Sequence, residues 1–149
     1  MGRSLVRGLA VGIALGFAGI FGCSSGGSSS VDLAGLWQWS VTMTQNTCGG
    51  AVGEVRTAQV TIQQSGEDVT ILVPADAGSA MVPVAGRLDG THLLASASYS
   101  NPPWTLQLAI DANAAGGGAT LAGSMDFTWR HAPDGYTCVE RGSLAATKL

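Results

Sequence analysis

From Val31 to the end of the chain, apolar side chains recur at every second position in short runs, and each run ends at Gly, Pro, Asn or Asp. A period of two is the pattern of a strand with one face against a core, and no stretch sustains the 3.6-residue period of a helix. Eight such runs follow one another. The first, 36–44, sets Trp37, Trp39, Val41 and Met43 against Gln38, Ser40, Thr42 and Thr44. The second, 56–64, turns Val60 and Ile62 inward, and Ser65-Gly66-Glu67 makes a tight turn into the third, 69–73, which Pro74 stops. Pro83 marks the start of the fourth, which ends at Leu88. Asp89-Gly90 is a two-residue hairpin signal leading into the fifth, 91–99. After Asn101-Pro102-Pro103 the sixth, 104–111, alternates Trp104, Leu106, Leu108 and Ile110 with Thr105, Gln107 and Asp111. An Ala- and Gly-rich loop is expected over 112–118; it lacks the lysine and hydroxyl residue of a P-loop. The seventh, 120–129, puts Leu121, Met125, Phe127 and Trp129 on one side, and Asp134-Gly135 turns into the eighth, 136–148.

The N-terminus follows a different logic. Arg3 and Arg7 precede an uncharged apolar stretch over 8–22, the charged, apolar, small-residue order of a secretion signal. At roughly 15 residues this stretch is shorter than the ~20 a helix needs to cross a bilayer core. Ile20-Phe21-Gly22-Cys23 resembles the lipobox of bacterial lipoproteins, with an aliphatic residue three places before the cysteine and a small residue just before it. The resemblance implies cleavage before Cys23 and acylation of that cysteine, and two acyl chains suffice for stable anchoring. Ser24, in place of the Asp that holds such proteins at the inner membrane, implies the outer membrane. Ser24-Ser25-Gly26-Gly27-Ser28-Ser29-Ser30 then reads as a flexible tether with a reach of about 15 Å. The expected organisation is a signal over 1–22, the lipidated cysteine and tether over 23–32, and one domain over 33–149.

Setting Cys23 aside leaves Cys48 and Cys138 as one pair in an oxidising compartment, with two unrelated buried thiols as the alternative. A bridge between them would close a loop of about 90 residues and stabilise a small domain by ~4 kcal/mol in the chain-entropy model. It also bears on topology. One-sided alternation in eight consecutive strands suits an antiparallel meander with one dry face. In an open sheet the outer strands would be exposed edges, and closure removes them. Cys48 lies just past the first strand and Cys138 near the start of the last, so a bridge brings together ends that meet when those strands pair antiparallel. The expected fold class is all-β: an eight-stranded antiparallel up-and-down barrel.

A short barrel that opens Gly35-Leu36-Trp37 resembles the calycin group of lipocalins, avidins and fatty-acid-binding proteins. That resemblance implies a cation from near the C-terminus packed across Trp37. The register from Cys48 and Cys138 puts residue 148 opposite about residue 38, and Lys148 shares a face with Leu144 and Ala146, so Lys148 is the expected partner. No biotin-site pattern is present. Tyr136-Thr137-Cys138 also resembles the Tyr-x-Cys of membrane-bound lysozyme inhibitors, although their Ser-Gly-x-x-Tyr loop is absent.

Composition limits the function classes. Removing 1–22 takes away two of seven basic residues and none of ten acidic ones, leaving a net charge of about −5. The remaining Arg56, Arg87, Arg130, Arg141 and Lys148 are scattered and form no basic patch, which argues against nucleic acid. There is no His-Glu-x-x-His, Cys-x-x-Cys or Gly-x-Ser-x-Gly, and His92 and His131 lie far apart, so no catalytic residue, metal or cofactor is expected. His131 could bond Asp134 in a solvated hairpin, and His92 reads as a surface residue. Alternation from Leu144 points Glu140 inward near the disulfide end, where a buried carboxylate would need a partner or a raised pKa; a bulge or exposure at the barrel mouth is the alternative. Trp37, Trp39, Tyr99, Trp104, Phe127 and Trp129 all fall on inward faces and, with Glu140, are the candidate ligand-binding residues; a packed core is the expected reading of that interior, since eight strands leave a space that side chains can fill, and a ligand cavity is the alternative. The expected function is a non-enzymatic, envelope-anchored barrel for binding or interaction, partnered by the membrane through Cys23 and by an envelope protein or small apolar ligand. A carrier with an apolar ligand inside the barrel is the alternative, and a lysozyme inhibitor or uncharacterised enzyme a lesser one.

Overall fold

The computed structural model describes residues 31–74 and 81–149. The expected signal, Cys23 and the Ser/Gly run lie outside the described residues. Eight strands make up the domain: β1 (Gly35–Asn46), β2 (Val55–Ser65), β3 (Asp68–Pro74), β4 (Met81–Asp89), β5 (His92–Asn101), β6 (Trp104–Ala115), β7 (Thr120–His131) and β8 (Thr137–Lys148). Each pairs antiparallel with its neighbours in the chain, and β1 pairs with β8, closing the barrel. A single dry face on every strand is buried here by the sheet curling onto itself, and closure leaves no strand as an exposed edge. The Asp89-Gly90 turn behaves as its chemistry requires, with Gly90 at φ +59°, a conformation that a Cβ would strain.

Side chains fill the interior. Trp37, Trp39 and Met43 from β1 are buried in one cluster with Ile62 of β2, Ile71 of β3 and Ile110 of β6. At one end the segment before β1 folds over the opening as a plug. Leu33 is fully buried, its carbonyl accepts the Trp37 Nε1 hydrogen bond at 2.8 Å, and its N–H donates to Gln64 Oε1 at 2.7 Å. Gln64 Nε2 in turn donates to the Val31 carbonyl at 3.0 Å.

Two sequence expectations need correction here. The Ala-rich stretch expected to be a loop from Ala112 is strand as far as Ala115, and Ala112 and Ala114 are buried. Alanine is a poor strand former, but β6 is hydrogen-bonded on both sides, to His92 and Leu93 of β5 and to 120–123 of β7, and that pairing overrides propensity. The β1–β8 register also differs. Asn46 pairs with Glu140 as the disulfide demands, but a bulge between Met43 and Gln45 absorbs one residue, so Lys148 stands opposite Trp37. Lys148 Nζ donates to the Asp32 carbonyl at 3.2 Å and so ties down the plug.

Candidate functional site

At the end of the barrel opposite the plug, the described residues leave a hollow between the strand ends. Parity decides which side chains face it: on β2, Arg56 stands an even number of residues before Val60 and Ile62 and so shares their inward face, as Glu140 shares that of Leu144 on β8. Their strands are separated by β1, but both side chains reach the same hollow at the mouth. Its wall is Arg56, Glu140, Trp104, Trp129, Tyr136 and the Cys48–Cys138 bridge, around about 460 Å³ of open space.

Glu140 is 7% exposed, and every acceptor position it has is used. Oε1 accepts from Asn46 Nδ2 at 2.9 Å and Arg56 Nη2 at 3.0 Å; Oε2 accepts from Arg56 Nη1 at 3.1 Å and Trp129 Nε1 at 3.4 Å. A carboxylate has about four lone-pair sites, so this one is saturated. Burial alone would push its carboxyl pKa up, but the Arg56 hydrogen bonds and charge, with Trp129 and Asn46, outweigh burial and hold it below the ordinary value. The inward Glu140 is therefore a partnered carboxylate, with the pKa moved down and not up. The Arg56 guanidinium is stabilised in its charged form first by Glu140 and then by Glu54, whose Oε1 takes the Nε–H at 3.0 Å.

The loops around the mouth are held to this pair. Asn46 Oδ1 accepts the Cys48 N–H at 2.8 Å, joining the Glu140 network to the disulfide, whose Cα atoms are 5.0 Å apart. The expected Cys48–Cys138 pairing is thus present. Beside it, Thr47 Oγ1 accepts the Val139 N–H at 2.7 Å. On the other side of the hollow Asp134 Oδ1 accepts the Tyr136 N–H at 3.0 Å and bonds His131 Nδ1 at 2.7 Å, shaping the turn that carries Tyr136. Those two bonds, the Tyr136 amide first, hold the Asp134 carboxyl below its ordinary value. The His131 ring lies 4.6 Å from the Trp104 ring, and Tyr136 stands edge-on to Trp104 at 6.4 Å.

The candidate residues divide by height in the barrel. Trp37 and Trp39 are buried in the core, Phe127 packs against that core from a half-buried position, and none of the three lines the hollow. Trp129 is half-buried on its wall. Trp104 and Tyr99 depart from expectation: both keep inward parity yet are 37% and 47% exposed, because they stand at strand ends above the packed layers. Tyr99 does not line the hollow. Arg56 and Asn46 were not singled out from sequence, although the parity of Arg56 with Val60 was a signal for it, and Tyr136 entered only through the Tyr-x-Cys resemblance. His92 sits near the plugged end with Asp111 at 2.8 Å, and neither His92 nor His131 lines the hollow. Among the described residues, no group of three or more His, Cys, Asp or Glu side chains could hold a metal ion.

Size alone would favour another place. A depression of about 690 Å³ on the outer wall is lined by Gly86, Ser96, Ala109, Ser124 and their neighbours, with no aromatic side chain. It is the flat outer surface of strands bearing small residues, whereas the mouth brings aromatic faces beside a partly buried ion pair. The described exposed apolar side chains concentrate there too: Val52, Val55, Met81, Tyr99, Trp104 and Tyr136 all stand at the open end.

No family model and no curated protein matches this chain. Among solved structures, a similar chain is the monomer form of the M. tuberculosis PknI sensor domain, at 13% identity over 81% of this chain and 90% of that one, with a TM-score of 0.49.

Proposed function

We propose that this chain is an envelope lipoprotein whose barrel is a non-enzymatic binding module with its binding site at the open mouth. The observation that carries the reading is the polarity of the barrel. Val31 and Asp32 are fastened at the plugged end, to Gln64 and Lys148, so everything N-terminal to them attaches there. The aromatic side chains and the Glu140–Arg56 pair gather at the other end. With Cys23 acylated and residues 24–30 as tether, the mouth faces away from the anchoring membrane, toward partners or ligands in the envelope space. Ser24 favours the outer membrane as the site of anchoring.

A binding role is supported over catalysis because Glu140 has no acceptor position left for a proton relay and neither histidine stands beside it. Carriage of an apolar ligand within the barrel is disfavoured by the side chains that fill it. The test of the anchor is Cys23→Ser, which should leave the chain unprocessed or released from membranes; unchanged processing and membrane association would refute the lipoprotein reading. The test of orientation is Ala132→Cys, at an exposed position of the turn between β7 and β8 near the mouth, which should react with a bulky reagent supplied from the side away from the membrane; protection from that reagent would refute the orientation.

A further inference from the structure

The chemistry of the mouth selects among ligand classes. The wall carries one positive and one negative side chain, Arg56 and Glu140, bonded to each other through two contacts. An anion entering the hollow meets the Glu140 carboxylate, with Glu54 behind it on Arg56, and a cation meets the Arg56 guanidinium on the wall itself, so neither finds an unopposed charge in the lining. The same pair excludes a purely apolar ligand, which would strip water from Arg56, itself 42% exposed, and return no hydrogen bond. Arg56 donates four of the five N–H bonds of a guanidinium to Glu54 and Glu140, leaving one on Nη1. Tyr136 Oη donates to the Thr47 carbonyl at 3.4 Å and keeps its lone pairs as acceptors.

What fits is a neutral molecule with an apolar face and hydroxyl edges. Trp104, Trp129 and Tyr136 provide aromatic surface for such a face, and the spare Arg56 N–H and the Tyr136 oxygen provide partners for hydroxyls. Among the described residues nothing caps the hollow, and the packed core fills the barrel beyond it, so a ligand enters end-on and cannot pass through. We propose that the mouth binds the end of a neutral saccharide chain, with a sugar ring stacked on the tryptophans and its hydroxyls bonded to Arg56 and Tyr136. This rests on the mouth being the binding site, and it adds the class of ligand.

The experiment screens the full-length chain in lipid nanodiscs against an array of neutral and acidic oligosaccharides, then titrates the strongest binder while following tryptophan emission. Laurate and choline are titrated in parallel. The expected result is saturable binding of a neutral oligosaccharide, weakened about tenfold by Trp104→Ala or Tyr136→Ala and unchanged by Gln107→Ala on the outer wall. Should Trp104→Ala fail to fold, Trp104→Phe and Tyr136→Ala carry the test. Binding confined to acidic sugars, or to none on the array, overturns the saccharide assignment. If laurate or choline then binds and Trp104→Ala abolishes it, the mouth stands as the binding site with another ligand class. If none of these probes binds in a way that depends on Trp104 or Tyr136, the saccharide assignment and the mouth as a binding site fall together.

Discussion

Arg56 on β2 and Glu140 on β8 meet across the intervening strand β1 through two hydrogen bonds of nearly equal length, 3.0 and 3.1 Å. The pair is asymmetric in exposure, 42% for the Arg56 side chain and 9% for Glu140, so losing one partner differs from losing the other. Arg56→Met leaves a buried carboxylate with only Asn46 and Trp129, whereas Glu140→Gln leaves a guanidinium that water and Glu54 can still serve. Urea unfolding should show Arg56→Met costing about 1–3 kcal/mol and Glu140→Gln less. Arg56→Met combined with Glu140→Leu should cost less than the sum of the two single changes.

Stability should also depend on acid in a direction set by Glu140. Its carboxyl is held below its ordinary value near 4.5, so the folded state binds this proton more weakly than the unfolded state does. The contribution is therefore complete above about pH 5 and is lost as pH falls through the lower folded-state value. Asp134 is shifted in the same direction, so the diagnostic quantity is a difference. The melting temperature of Glu140→Gln should converge on that of the wild type as pH falls from 6 to 3, and a constant gap would contradict the assignment.

The bridge between Cys48 and Cys138 spans 90 residues of chain. Cys48→Ser with Cys138→Ser should lower stability by about 2–4 kcal/mol, chiefly by freeing the unfolded chain. Local effects should follow, because the Asn46 and Thr47 contacts flank the bridge: hydrogen exchange should quicken in 47–54 more than in the plug at the other end. Mass mapping of oxidised protein should find no free thiol at either position.

Tryptophan quenching should report the division by height. Trp37 and Trp39, at most 2% exposed, should be shielded from iodide, and Trp104 at 37% should be quenched. Trp104→Phe should remove most of the accessible fraction. Quenching that persists undiminished in that variant would mean the indole is shielded.

Ala95 tests the filling of the interior. It is 6% exposed, and it pairs with Gly86 on β4 and Ile110 on β6. Ala95→Leu should overpack and destabilise by ~1–3 kcal/mol. A neutral or stabilising effect in thermal unfolding would point to empty space beside it.

Much of this architecture was legible along the chain, and the reason is local. A strand turns successive side chains to opposite faces, so the runs around Trp37, Ile110 and Leu144 declare their strands and inward faces without knowledge of their neighbours. Gly90 announced its turn through φ, and one cysteine near each end of the domain announced closure. What alternation cannot carry is height within the barrel or identity across it. Trp104 and Trp39 obey the same parity rule, yet one is at the mouth and the other in the core, because that depends on strand stagger. The bulge that sets Lys148 against Trp37 depends on two strands pairing more than 90 residues apart in the chain. Arg56 and Glu140 become partners only when the sheet closes and β1 sets β2 beside β8. Sequence thus determined the strands, their dry faces and the order of pairing, which follow from backbone geometry. The hollow, its charge pair and its aromatic rim were decided by closure, which alone brings such distant positions within hydrogen-bond reach.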